Sequence, residues 1–288
     1  MTNNISTLPR ITESSTIVIP NSNESILQIW LDSYKLADIF INDLGYIRKK
    51  ENEFAYTKLL KSMLYKTNGN FVMQILGHCA EAVTVRRCNE NPEINRRWLD
   101  IANKWVMYDI TIPYETMAIG TGLDYTKNNY RYYYNPNDTQ RDIIWINKET
   151  KIPFVSGYPY GDYIGLQIKT SRDGKNNIEK ALITKKYYVP IVYFDIFNDY
   201  QKIKNDIKIN GYDGNLDNDF ISAKEIDFDA YYEVRHYYEI INALYYQKIP
   251  VEKFISIAMQ MHNLGSATIK AITSIIPETS NSIITSKI

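Results

Sequence analysis

The apolar residues change their spacing along this chain, and that change of period limits the possible folds more than any other feature. From Phe71 to Cys88, Met73, Leu76, Ala80 and Val83 recur at helical intervals, with Asn70 placed to cap the start and the run from Asn89 to Pro92 placed to end it. Beyond Tyr130 the period shortens. Tyr130 to Tyr134, Asp142 to Ile146 and Ile164 to Lys169 read as three strands, separated by turn signals from Asn135 to Asp138 and from Gly157 to Gly161. Ile178, Leu182 and Ile183 predict a helix from Lys175 to Tyr187. Val189 to Phe194 is then almost continuously apolar, as in a strand buried on both faces. Helix, three strands, helix, strand predicts an α/β (mixed α+β) fold, a mixed sheet flanked by helices, with the second helix crossing over between parallel strands.

Around that core the chain divides into three expected parts: an N-terminal arm and helices over 1–66, the core over 67–215, and a helical C-terminal region over 216–288. Residues 1–23 are polar, and Leu36, Ile39, Phe40 and Leu44 continue a helical pattern that Gly45 should break into two helices. A helix from Glu93 to Val106 follows the core helix, and the tail should carry helices over 229–247, 251–261 and 267–276. Lys plus Arg and Asp plus Glu both number 33, so attraction to a polyanion has to be local. Cys79 and Cys88 offer neither a disulfide framework nor zinc-ligand spacing. No basic segment leads an apolar one at the N-terminus and no apolar run reaches membrane length, so a soluble, cytoplasmic protein with no membrane partner is expected.

Chemistry concentrates in Gly165-Leu166-Gln167-Ile168-Lys169-Thr170-Ser171. Alternate side chains of a strand share a face, so Gln167 and Lys169 point one way while Leu166 and Ile168 enter the core. A Gln carbonyl is an acceptable oxygen ligand for Mg²⁺, and a neighbouring ammonium can hold a water or offset charge growing on a phosphate. Upstream, Gln74, His78 and Glu81 share a stripe of the first core helix, which places a carboxylate on its flank. Each signal also has a plain reading: Q-x-K as the polar face of a half-buried strand, Glu81 as a solvated helix residue, His78 as a hydrogen-bonded structural histidine.

In these residues and their order the chain resembles the PD-(D/E)xK nuclease superfamily, in its Q-x-K form, over roughly Phe71 to Tyr200. The resemblance implies a restriction-endonuclease-like core in which Glu81 fills the helical acid position, Asp142 opens the second core strand, and Gln167 and Lys169 supply the last motif. Asp162, five residues before Gln167, is the alternative motif aspartate. It further implies Mg²⁺, with Mn²⁺ as a substitute, held by Glu81, Asp142, the Gln167 carbonyl and the Ile168 backbone carbonyl, with Lys169 positioning the attacking water. The implied activity is endonucleolytic hydrolysis of double-stranded DNA, in restriction or anti-phage defence, by a homodimer or with a partner defence protein. A nuclease subunit driven by a partner ATPase or recognition protein, and a non-catalytic binding module on the same fold, are the alternatives. Arg86, Arg87, Ser171, Arg172 and Lys175 are the candidate nucleic-acid contacts.

Overall fold

The computed structural model describes residues 24–50, 53–57, 60, 70–103, 115–155 and 163–256. Helix α1 (Glu24–Asn42) leads into a hairpin of β1 (Ile47–Lys50) and β2 (Glu53–Tyr56). Helices α2 (Asn70–Glu90) and α3 (Pro92–Asn103) follow, then β3 (Thr116–Gly120), the short α4 (Asp124–Asn129) and a 3₁₀ turn at Arg131–Tyr133. Next come β4 (Ile143–Asn147), β5 (Gly165–Lys169), a π-turn at Lys175–Glu179, α5 (Lys180–Ile183), β6 (Ile191–Tyr193) and α6 (Tyr200–Ile209). The described chain closes with α7 (Leu216–Asp219), β7 (Phe220–Ser222), α8 (Ala223–Ile226), α9 (Phe228–Tyr245) and a helical turn at 251–256.

One five-stranded sheet runs β3-β4-β5-β6-β7, antiparallel across β3, β4 and β5 and parallel across β5, β6 and β7. The parallel step from β5 to β6 needs a crossover, and the π-turn with α5 provides it. Helix α2 lies on one face with Leu76, Cys79, Ala80 and Val83 packed in a core that includes Ile143, Trp145, Leu166 and Ile168. Helices α1 and α9 cover its other side. The other face is closed by a separate cluster in which Ile178, Leu182 and Ile203 meet Ile191, Tyr193 and Phe220.

The fold class is thus the expected mixed α/β sheet flanked by helices, but several expected elements differ. Tyr130 to Tyr134 is not a strand: Tyr130 and Tyr133 lie across Ile119, Ile144 and Ile146 on the outer face, while Tyr132 is 83% exposed. The first strand is instead Thr116–Gly120, a five-residue segment almost wholly buried. Gly45 does break the N-terminal pattern, at φ 60°, but a hairpin follows rather than a second helix. The 175–187 helix stops at Ile183, because Lys185 turns into the left-handed region at φ 47°. The tail adds β7 to the sheet. The arm over 1–23, the 267–276 helix, Asp162 and the Gly157–Gly161 turn lie outside the described residues.

Helix α2 is tied down at its C-terminal end by ion pairs. Arg87 donates Nε to Asp227 Oδ2 at 2.6 Å and Nη2 to Asp227 Oδ1 at 2.8 Å, and reaches Asp229 Oδ2 at 3.2 Å. Asp227 in turn accepts the Ala230 N–H at 3.1 Å and caps α9. Only 3% of Asp227 is exposed, so Arg87→Ala leaves a buried carboxylate without its counter-charge. We expect a loss of about 3–5 kcal/mol, read as a fall in the urea midpoint, with Arg87→Lys recovering only part because it lacks the two-pronged geometry.

Candidate active site

The sequence-selected residues from α2, the start of β4 and the end of β5 converge at one end of the sheet. Helix α2 sits close to the strands there. A Cβ on Gly120 would lie 2.7 Å from Glu81 Oε1 and 2.5 Å from Leu123 Cδ1, so only glycine permits the approach. Thr170 Oγ1 donates to the Met73 carbonyl at 2.8 Å and fastens the end of β5 to the same helix. Glu81 is consequently buried, 6% exposed, rather than presented on a solvated flank, and its Oε1 accepts the Gly122 N–H at 3.2 Å. The helix is covered on both sides, which a single stripe of apolar residues did not foretell.

Asp142 is the hub. Strands β4 and β5 pair only at Ile143 with Leu166 and Ile144 with Gly165, and then part. Past that point Asp142 Oδ2 takes the Ile168 N–H at 2.8 Å, a ladder donor with no strand beside it, so the carboxylate lies in the plane of the sheet. The Gln167 side-chain amide donates to the same oxygen, and Lys169 Nζ stands 3.8 Å from it. A carboxylate in the sheet plane can be addressed from both faces: by Glu81 from the α2 side, by Lys169 from the other.

Burial dominates the electrostatics. It raises the Glu81 carboxyl well above its ordinary range, and the nearby Asp142 charge raises it further, against the Gly122 N–H and the Lys169 ammonium. Burial also raises Asp142, opposed by Lys169, the Ile168 N–H and the Gln167 amide. Two carboxylates are thus held together, short of positive charge. Gln167 is 3% exposed, and its Oε1 is buried without a hydrogen-bond partner. An orphaned carbonyl oxygen on the amide that holds Asp142, with two under-compensated carboxylates in the same region, supplies the oxygen donors that a hard divalent cation takes. The Ile168 carbonyl leaves the strand on the same side as its N–H and adds a backbone oxygen. The residues therefore fit Mg²⁺, although among the described residues no group of three His, Cys, Asp or Glu side chains is gathered for a metal. Here the third side-chain donor is an amide.

The proposed nucleic-acid contacts are not brought together. Arg86 pairs with Asp38 at 2.6 Å and with Asp43, and Arg87 with Asp227, so both guanidinium groups are consumed inside the fold. Ser171 is buried, its Oγ accepting from the Asp173 N–H and the Asn177 amide, and so shapes the turn after β5. Arg172 is exposed beside that turn, and Lys175 starts the π-turn. His78 meets the Tyr46 hydroxyl, and burial lowers its pKa, as for a neutral structural histidine.

Sequence reasoning missed the Gly120-Thr121-Gly122 turn that receives Glu81, whose signal was a G-x-G at the end of a short apolar run. It also missed Gln140 and Tyr187, which meet at the turn after α5. No protein-family model matches the chain, and no curated protein or solved structure matches it either.

Proposed function

We propose that this chain is a Mg²⁺-dependent endonuclease that hydrolyses phosphodiester bonds of double-stranded DNA, as a restriction or anti-phage defence enzyme. The observation that carries the reading is the constellation at Asp142: a buried and a half-buried carboxylate, an orphaned amide oxygen and an ammonium, from three separate elements, at the opening between β4 and β5. The strand order supports it too, since three antiparallel strands and a parallel fourth behind a long helix form the arrangement that the PD-(D/E)xK resemblance implies.

Glu81, Asp142, the Gln167 carbonyl and the Ile168 carbonyl would hold the ion. When bound, Mg²⁺ lowers the pKa of a coordinated water and offsets charge on the scissile phosphate. Lys169 faces the space beside Asp142, where its ammonium holds the attacking water and meets the negative charge that grows on the phosphoryl oxygens. Gln167 has a divided role: its amide N–H group holds Asp142 in orientation while its oxygen stays available as a ligand. A neutral amide in place of an acid leaves the site one charge short, so weaker Mg²⁺ affinity than in an all-acid site follows. Cutting both strands of a duplex calls for two copies of this single site.

The test is incubation of the purified full chain with supercoiled plasmid. Nicked and linear products in Mg²⁺ or Mn²⁺, and none in EDTA, are the expected result. Intact plasmid in every metal would overturn a self-sufficient nuclease.

A further inference from the structure

The Lys169 ammonium has a second neighbour. Its Nζ lies 5.2 Å from the centre of the Tyr187 ring, within the range at which an aromatic face attracts a cation. The ring is half-buried and comes from the turn after α5, an element with no ligand of its own in the site. We propose that Tyr187 is a positioning residue that holds the Lys169 ammonium beside Asp142 without letting it close into a tight ion pair. The inference rests on the hydrolytic reading of this site and adds a residue to it.

The surrounding turn is built to fix that ring. Lys185 adopts φ 47°, a conformation costly for a residue with a side chain, which persists only where neighbours over-determine it. The Lys185 N–H donates to the Leu182 carbonyl and the Lys186 N–H to the Ala181 carbonyl, each at 2.9 Å. Gln140 completes the hold: its Nε2 donates to the Lys186 carbonyl at 3.1 Å and its Oε1 accepts the Tyr188 N–H at 3.0 Å. One side-chain amide thus grips the backbone on both sides of Tyr187, and it belongs to the residue two positions before Asp142. The turn that carries the ring is thereby fastened to the segment that carries Asp142. At 3.8 Å from Asp142 Oδ2 the ammonium is beyond ordinary hydrogen-bonding distance, balanced between carboxylate and ring. Without the ring it would settle onto the carboxylate, neutralising a metal ligand and withdrawing from the water it has to hold.

The test separates position from activity. Reductive ¹³C-methylation keeps lysine charged, and a methyl group over an aromatic ring resonates upfield. The full chain should show one upfield dimethyl-lysine signal lost in Lys169→Arg and a second lost in Lys186→Arg, whose ammonium lies 5.0 Å from the same ring. The Lys169 signal should persist in Tyr187→Phe and move to the unshifted position in Tyr187→Leu. In plasmid cleavage Tyr187→Leu should lower kcat by about five- to thirtyfold with KM unchanged, and Tyr187→Phe should restore it. An unmoved Lys169 signal in Tyr187→Leu overturns the proposal whatever the cleavage rate. A wild-type protein that cuts nothing but shows the shifted signal overturns the hydrolytic reading while supporting the hold of the ring on the ammonium.

Discussion

Lys169→Ala should lower Mg²⁺-dependent plasmid cleavage by about 10²- to 10⁴-fold, the range typical of losing a positioned acid–base group, while leaving the fold unchanged. The stability half follows because Lys169 is half exposed and its contact with Asp142 is long, and such pairs contribute little to folding. Its ring contact with Tyr187 is modest as well. The activity half follows because Lys169 is the one cation within 4.0 Å of Asp142 among the described residues. Lys208→Ala is the matched control: it removes an equal charge from the exposed last turn of α6 and should leave the rate unchanged. Equal loss in both variants would mean that general attraction to the polyanion, not placement beside Asp142, accounts for the effect. Cleavage by Lys169→Ala at the wild-type rate would remove lysine from the chemistry altogether.

How much of this site the sequence disclosed depends on how local each signal was. Gln167 and Lys169 were legible because two-residue alternation in a strand is a local rule, and Asp142 because it opens an apolar run whose partner strand was also readable. The helix that bears Glu81 was equally clear from its period. Its burial was not, since Glu81 is received by the Gly120-Thr121-Gly122 turn, which meets it from 41 residues along the chain. The ion pairs of Arg86 and Arg87 were hidden for a like reason: their partners Asp38, Asp43 and Asp227 are distant in sequence, and a basic pair alone looks like a phosphate contact. Thr116–Gly120 was missed because a five-residue strand ending in glycine carries little periodicity, whereas the tyrosine run after it has high strand propensity but packs onto the sheet rather than into it. The Gln140 grip on Tyr187 left no pattern at all, being an exchange between two loops.

Glu81→Gln should abolish cleavage and yet make the metal-free protein more stable at pH 8, by roughly 1–2 kcal/mol, or about 2–8 °C in Tm for a chain of this size. Glu81 is buried against Asp142, and its carboxyl is raised well above the ordinary value of 4.5. A group whose folded-state pKa is raised binds its proton more tightly when folded than when unfolded. Stability is therefore greatest with the proton on, and it falls as pH climbs from the ordinary carboxylate range through the raised value. Asp142, raised in the same direction, adds to that slope. The metal-free wild type should thus melt higher at pH 6 than at pH 8, and Glu81→Gln should flatten the difference. The amide keeps the shape and the oxygen that accepts the Gly122 N–H, so what is removed is the charge. Asp142→Asn is a poorer probe because Asp142 Oδ2 serves Ile168, Gln167 and Lys169 together. Mg²⁺ supplies the missing positive charge, so millimolar Mg²⁺ should raise the wild-type Tm at pH 8 and leave that of Glu81→Gln nearly unmoved. A Glu81→Gln protein that melts below wild type at both pH values would show that the carboxylate is a structural partner rather than a charge held in readiness for a cation.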